Sequence, residues 1–310
     1  MSIELTEELR RNKAQFRYLR ERCGISLRET AERCDYGLGA VRSWERGYEK
    51  TYPPIKAWEY LLEQFENHKN WVSEHAEQIR RAAEADIEED GYSLGLISIY
   101  HYQTGAGATG KEDNREENYR LRRFNARAAE LAAVLSFENI EADFFYENHE
   151  ISDENIEKAT FRGIRERCRI TQKTVAEELG YKELSTIRKW EYPDARPNVP
   201  ERAFEWAEEK LERHIERTDA ILEIADEITE KQGYPPKQVL FPYYTSQKHF
   251  NLYKTDSISF SEINAANTEA AARLEKLGIE PVFLYPETGY KYPSDYRIKT
   301  DNPINFFRKF

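Results

Sequence analysis

Two short stretches of the chain carry side chains that can bind a polyanion and donate hydrogen bonds to nucleobases. The segment KELSTIRK (182–189) combines lysine, serine, threonine and arginine within about two helical turns. Arginine and lysine contact phosphates and the acceptors of guanine, and hydroxyls reach bases or phosphates. The equivalent segment GLGAVRS (37–43) has only Arg42 and Ser43 as polar side chains, so it offers close backbone approach and one guanidinium. Both segments indicate binding chemistry rather than catalysis.

Residues suited to other chemistry lack the necessary spacing. The six histidines are scattered, with no metal-ligand spacing and no Ser-His-Asp order, and no P-loop or G-x-G-x-x-G motif occurs. The glycine-rich GAGATG (105–110) leads into the acidic KEDNREEN, which favours a loop over an anion site. We therefore expect no enzymatic activity, no cofactor and no metal.

Length and composition describe a polar chain with small cores. The 310 residues indicate about two domains, or more if they are small, and 33% of them are charged. The first residues lack the apolar run of a signal peptide, and no stretch approaches the roughly 20 apolar residues of a membrane span. The three cysteines include no C-x-x-C pair. These features predict a cytoplasmic protein with reduced thiols and no membrane contact.

The word RERC occurs twice, at 20–23 and at 165–168, and each occurrence belongs to a longer repeat. The segment FRYLRERCGISLRETAERC (16–34) aligns with FRGIRERCRITQKTVAEEL (161–179), and RSWE later aligns with RKWE. Each copy continues with a polar helix, an aromatic strand, an alanine-rich helix and a closing strand. The chain is therefore interpreted as a tandem duplication.

The predicted fold is mainly α with α+β, in two tandem units that each have a helix-turn-helix bundle followed by a small α+β domain. The predicted domains are helix-turn-helix domain 1 (1–70), α+β domain 1 (71–150), helix-turn-helix domain 2 (151–214), α+β domain 2 (215–290) and a C-terminal tail (291–310). We expect the second α+β domain to form a pseudo-dimer with the first. We expect the tail to dock on the protein rather than to touch nucleic acid.

The front of each copy has the spacing of a helix-turn-helix. In the second copy, the small Ala176 at position 5 lets two helices cross closely, and Gly180 at position 9 takes the positive φ of the turn. The first copy has Asp35 at the turn, and aspartate adopts the left-handed conformation more readily than most residues. Recognition helices are predicted at about 37–45 and about 182–191.

Several residues near these helices are expected to be structural. Trp44 and Trp190 fall on the inner faces of the predicted recognition helices, and Cys23 and Cys168 are expected to pack between helices. The arginines of the two RERC words are expected to pair with glutamates on their own helices.

The segment ITQKTVAEELGYKELSTIRKWE (170–191) resembles the lambda-repressor-like (XRE/Cro) helix-turn-helix family, including the Trp-Glu that ends its third helix. The elements that follow are similar to the YdiL-like proteins and the anti-CRISPR-associated (Aca) autorepressors, which have one such unit per chain and dimerise through the α+β part. The resemblance covers about 10–147 and about 158–287. It implies DNA binding, a phosphate contact at Gln172 and, since two units are fused here, a monomer with an internal pseudo-dimer.

Charge is distributed as the resemblance requires. Residues 10–50 carry eleven Lys/Arg and six Asp/Glu, and residues 161–192 carry eight and five, whereas the whole chain has a net charge of −11. Basic segments on an acidic remainder are typical of DNA-reading surfaces. The predicted DNA-binding residues are Arg28, Ala40, Arg42 and Ser43 in the first copy, and Thr171, Gln172, Lys173, Lys182, Ser185, Thr186, Arg188 and Lys189 in the second.

The expected function is that of a sequence-specific DNA-binding transcriptional regulator, most simply a repressor. It would bind an imperfect palindrome in double-stranded DNA through two unequal heads, of which the first copy is the less specific. Two alternatives remain open: a protein-interaction module, such as an antitoxin or inhibitor with an acidic surface, and an RNA-binding translational regulator.

Overall fold

The described chain is mainly helical, with a few short strands. The computed structural model describes residues 5–47, 49–90, 96–101, 115–138, 140–146, 152–193, 195–252, 258–286 and 304–305. The glycine-rich segment 105–110 and most of the C-terminal tail lie outside these residues.

The first copy begins with four short helices, which we call the first head. They are α1 (Glu7–Arg11), α2 (Lys13–Arg22), α3 (Leu27–Cys34) and α4 (Leu38–Trp44). The Ser26 side chain caps α3 by accepting from the amide of Glu29, which satisfies one of the free donors at the helix start. Asp35 ends α3 with a φ of 65°, the left-handed conformation that was predicted for this turn.

The second copy forms the second head from three helices, the first of which matches α1 and α2 together. Its helices are α7 (Asp153–Arg167), α8 (Gln172–Leu179) and α9 (Leu184–Trp190). Gly180 ends α8 with a φ of 76°, as predicted, because glycine has no Cβ to oppose a positive φ. The turn at 180–183 is one residue longer than the turn at 35–37, which accounts for the insertion in the second copy.

Each head is followed by a long uninterrupted helix. These helices are α5 (Ile55–Asp90) and α10 (Glu201–Gln232). The polar helix predicted in each copy is the C-terminal part of one longer continuous helix. Neither helix contains a glycine or a proline, so no residue in the sequence interrupts it.

A parallel strand–helix–strand region follows each long helix. The first sheet region contains β1 (Leu96–His101), α6 (Arg115–Ser136) and β2 (Glu141–Tyr146), and the second contains β3 (Gln238–Pro242), α11 (Gln247–Phe250), α12 (Phe260–Lys276) and β4 (Glu280–Leu284). The strands pair in parallel with Leu96 opposite Glu141 and Gln238 opposite Glu280. In the tail, β5 (Ile304–Asn305) pairs in parallel with β3, in agreement with a docked tail.

The described chain divides into two compact units that do not follow the order of the copies. Unit 1 contains Met1–Asn67 and His214–Phe310, and unit 2 contains residues 68–213. The first head therefore shares a unit with the second sheet region, and the second head shares a unit with the first sheet region. In unit 1, one hydrophobic core joins Phe16 of the first head to Phe283 of β4. Among the described helices, none has the length and apolar composition that crossing a membrane would require.

Candidate nucleic-acid interface

The α9 helix of the second head has one buried face and one exposed face. Ile187 and Trp190 are fully buried in the core of the head. Lys182, Arg188 and Lys189 are exposed, and within the described residues none of them forms an ion pair or a side-chain hydrogen bond. Three cations without an internal partner are free to neutralise phosphates or to donate to base edges.

The two hydroxyl residues predicted on α9 differ in exposure. Ser185 is exposed, and its Oγ donates to a carboxylate oxygen of Glu183 at 3.1 Å. Glu183 precedes the helix but makes no side-chain capping bond. Thr186 is half-buried. Ser185 therefore presents its hydroxyl at the outer face, while Thr186 lies at the edge of that face.

The start of α8 uses two of its predicted contact residues within the head. The Thr171 hydroxyl caps α8, accepting from the amide of Thr174 at 3.1 Å. Lys173 lies 3.4 Å from a carboxylate oxygen of Glu177, and both side chains are mostly exposed. An exposed pair of this kind is weak, so Lys173 remains able to exchange Glu177 for a phosphate.

Gln172, which the resemblance places on a phosphate, is bound inside the head. Its Nε2 donates to Oε2 of the buried Glu191 at 2.7 Å. The same carboxylate receives the guanidinium of Arg165, so the amide of Gln172 is oriented by a buried ion pair. The first head has Leu27 at this position and lacks the contact.

The first head presents fewer polar groups. Arg28 and Arg42 are exposed and form no ion pair within the described part of the chain. Ala40 and Ser43 are half-buried, and the Ser43 hydroxyl donates to the carbonyl of Ala40 at 2.7 Å and accepts from Thr51 at 2.8 Å. Of the four residues predicted here, only the two arginines have polar groups without an internal partner.

A buried ion pair anchors the end of α4 and the end of α9. Nε and Nη2 of Arg20 donate to the two oxygens of Glu45, at 2.5 and 2.8 Å. Arg165 makes the same two-pronged contact with Glu191, with Nη2 at 2.8 Å from Oε2. The expectation that these arginines pair with glutamates of their own helices holds only for a longer contact, 3.3 Å to Glu21 and to Glu166. The shorter contacts are to glutamates 25 and 26 residues away. The planar guanidinium matches the carboxylate of the Trp-Glu sequence.

The surroundings keep both arginines charged. Burial alone would lower the pKa of Arg20 and Arg165, but the paired carboxylates raise the pKa of each guanidinium above its ordinary value. The Nη1 atoms donate to the carbonyls of Ile25 and Ile170, at 2.7 and 2.9 Å. One arginine of each RERC motif thus fastens the end of α4 or α9 to its head.

Two buried lysines that sequence reasoning missed hold the loops after α4 and α9. Lys13 Nζ donates to the carbonyls of Arg46 and Glu49 at 2.9 and 2.6 Å, and burial lowers the pKa of its ammonium group, an effect that Glu49 opposes. Lys158 Nζ donates to the carbonyl of Ala195 at 2.5 Å. Both lysines lie at the same position of the repeat, 145 residues apart, and that identity was the available signal.

The tryptophans are core residues, as predicted, and each carries an exposed tyrosine on its edge. Trp44 and Trp190 are buried. The rings of Tyr36 and Tyr181, which follow the left-handed turn residues, meet them edge-on with centroids 5.0 and 4.9 Å apart. Cys23 and Cys168 are likewise buried, in agreement with a packing role. Both heads therefore have one internal framework.

The second head offers exposed cations and the Ser185 hydroxyl on its outer face. Within the described ranges, no group of three His, Cys, Asp or Glu side chains converges on a possible metal position. The chemistry that these residues can perform is reversible contact with an anionic polymer. No protein-family model matches this chain, and no curated protein sequence matches it.

Proposed function

We propose that this chain is a sequence-specific DNA-binding regulator, most simply a transcriptional repressor, that reads duplex DNA with two unequal helix-turn-helix heads. The observation that carries the proposal is the outer face of α9. A short helix with a buried inner face exposes Arg188 and Lys189, the turn before it exposes Lys182, and none of the three is neutralised by a carboxylate of the described chain. Helices of this kind enter the major groove, which admits one α-helix.

Charge supports an interface with nucleic acid that is confined to the heads. The whole chain has a net charge of −11, so its average surface repels phosphate. The unpaired cations of α9 and the weakly paired Lys173 at the start of α8 supply a local attraction, while the acidic remainder keeps non-specific binding weak. The complex should therefore be sensitive to salt, because each phosphate contact releases counterions.

The two heads differ in what they can read. The first head offers Arg28 and Arg42 but a nearly bare helix front at Leu38–Ala40. That front permits close backbone approach and apolar contact with a thymine methyl group, but few hydrogen bonds to bases. The second head offers hydroxyl and cationic donors along the same face. The preferred operator is therefore an imperfect palindrome with unlike halves.

A selection experiment tests the proposal. The full chain is incubated with a pool of random duplex DNA and, separately, with a pool of random RNA, and bound molecules are amplified over several rounds. Enrichment of a duplex motif supports the proposal. Enrichment from the RNA pool alone favours a translational regulator, and no enrichment from either pool favours a protein-interaction module.

A matched pair of variants separates contact at the head from general charge. Arg188→Ala with Lys189→Ala removes two cations from α9, and Arg81→Ala with Arg120→Ala removes two exposed cations from α5 and α6. Both double variants change the net charge equally. Only the first should lose affinity for the selected duplex, whereas equal losses would show that the chain responds to charge and not to a binding surface.

A further inference from the structure

We propose that each DNA-reading head is positioned by the sheet region of the other sequence copy, through a buried tyrosine that holds the residue after the recognition helix. Tyr285 would position the first head, and Tyr146 would position the second. The effect on DNA rests on the proposed function, but the positioning itself can be measured without DNA.

In unit 1, the contact joins the end of the second sheet region to α4. The hydroxyl of Tyr285, just after β4, donates to the carbonyl of Glu45 at 2.8 Å. A second bond fixes the same strand, since the amide of Phe283 donates to Oε1 of Gln15 at 2.8 Å. Tyr285 and Gln15 are both buried, so neither bond competes with bulk water.

In unit 2, the equivalent residues make the equivalent contacts. The hydroxyl of Tyr146, at the end of β2, donates to the carbonyl of Glu191 at 2.7 Å. The amide of Phe144 donates to the Thr160 hydroxyl at 3.4 Å, a longer version of the second bond. Tyr146 and Tyr285 lie at matching positions of the repeat, and so do Thr160 and Gln15. Both units therefore use one contact scheme.

The glutamate after each recognition helix is held from two sides. Its carboxylate is bound by an arginine of the head, and its carbonyl is bound by a tyrosine of the sheet region. A tyrosine hydroxyl is protonated and can donate at neutral pH, and burial raises the pKa of Tyr146 and of Tyr285 further above that range. Because both ends of this residue are fixed, the axis of the helix that precedes it is fixed relative to the sheet of the same unit.

The consequence is a crossed dependence along the sequence. A residue near the C-terminal end of the repeat, Tyr285, controls the helix Leu38–Trp44 near the start of the chain. Tyr146, in the middle, controls Leu184–Trp190. A chain whose heads were each positioned by their own following sheet region would show the opposite dependence.

Hydrogen–deuterium exchange on the full chain tests the positioning without DNA. Tyr285→Phe and Tyr146→Phe each keep the ring and remove only the hydroxyl, and Tyr234→Phe, at an exposed position, is the control. Loss of one buried hydrogen bond should speed amide exchange about five-fold in the helix that it holds. Tyr285→Phe should speed exchange in 38–44 and not in 184–190, and Tyr146→Phe should do the reverse. The same hydroxyls also lie 3.5 Å from the carbonyls of Lys13 in α2 and Lys158 in α7, so the internal references are α3 and α8, where exchange should not change.

The outcomes decide the inference. Faster exchange in the helix of the same sequence copy, in both recognition helices, in neither, or throughout a head would overturn it, since a general loss of stability is not positioning. The second readout uses the duplex selected by the wild-type chain: Tyr285→Phe should weaken protection of only the half-site that the first head covers. If the wild-type chain selects no duplex, the proposed function fails, and the exchange data still decide the inference.

Discussion

The two heads share an internal framework and differ on their outer faces. In both heads, a buried arginine donates to the carboxylate of the glutamate that follows α4 or α9, and an exposed tyrosine meets a buried tryptophan edge-on. The outer faces have diverged, since α9 carries two cations and two hydroxyl residues where α4 carries Arg42 and a half-buried serine. Packing restricts the inner residues, whereas the core places no such restriction on the outer residues.

The contacts between heads and sheet regions show how the framework tolerates change. In unit 1, Tyr18 of α2 stacks on Phe283 with ring centroids 3.8 Å apart. The equivalent residue in unit 2 is Gly163, where an added Cβ would lie 2.4 Å from the ring of Phe144. One unit fills this contact with a second aromatic ring, and the other brings the helix backbone directly against the phenylalanine. The contact with the phenylalanine of the strand is thus made by an aromatic side chain in unit 1 and by a glycine backbone in unit 2.

The largest expected effect on stability comes from breaking the arginine–glutamate ion pair that each head contains. Glu191→Ala or Glu45→Ala leaves a buried guanidinium without its main partner, which should lower the free energy of unfolding by about 3–5 kcal/mol. Glu191→Ala should cost more than Glu45→Ala, because only Glu191 also accepts from Gln172. Urea unfolding followed by circular dichroism measures both, with the exposed Glu74→Ala as control. A loss below about 1 kcal/mol in both variants would refute the framework role.

The next largest effect is on DNA affinity, and it compares the outer faces of the two heads. Arg188→Ala with Lys189→Ala should weaken binding to the selected duplex by about 1–3 kcal/mol for each side chain that reaches a base edge, and by less for a side chain that reaches only phosphate. Arg42→Ala with Ser43→Ala should cost less, because the Ser43 hydroxyl is already bonded inside the head. Fluorescence anisotropy at several salt concentrations checks both. A larger loss in the first head would reverse the ranking of the heads.

A smaller effect on stability tests the close contact between Gly163 and the sheet. Gly163→Ala forces the Phe144 ring or the helix to move, and overpacking of this kind should cost about 1–3 kcal/mol of stability. The matched control is Gly39→Ala, where an added Cβ meets nothing within 4 Å; alanine should stabilise α4 by about 0.5–1 kcal/mol. Thermal unfolding of both variants measures the contrast. Equal behaviour would mean that the ring of Phe144 moves aside without cost.

The smallest effect appears at alkaline pH. Tyr146 and Tyr285 have pKa values raised by burial above the ordinary 10.0, so the folded state holds their protons more firmly than the unfolded chain does. Their contribution to stability is complete below pH 10 and is lost as the pH rises above it. The stability of the Tyr146→Phe, Tyr285→Phe double variant should therefore fall less steeply above pH 10 than that of the wild type. Urea midpoints across this range test it, and parallel curves would contradict it.

Local features of the fold could be predicted from the sequence. The left-handed residues at Asp35 and Gly180 and the inner-face tryptophans follow from turn chemistry and helical periodicity, and the structure confirms them. The continuity of α5 and α10 was missed, although the absence of glycine and proline inside these helices was a readable signal. The boundaries predicted at 70/71 and 214/215 fall inside these two helices.

The long-range partners could not be predicted, for a physical reason. The two copies present equivalent contact residues, so a head could bury the same surface against either sheet region, and periodicity cannot choose between them. The main partner of Arg20 could not be predicted either, because Glu21 is adjacent in sequence and Glu45 is distant. Only the fold brings the distant carboxylate to the guanidinium. Likewise, the position of Gln172 at the start of α8 could be predicted from the sequence, but its hydrogen bond to Glu191 could not.

Footprinting on the selected duplex tests the central claim most directly, namely that two unlike heads read one DNA site. The account predicts one protected region of about two turns whose two half-sites differ in sequence, with centres about 10 base pairs apart, as adjacent major grooves on one side of the duplex require. Arg188→Ala with Lys189→Ala should remove protection from one half only. A perfectly symmetric operator, or protection that both halves lose together, would contradict the account.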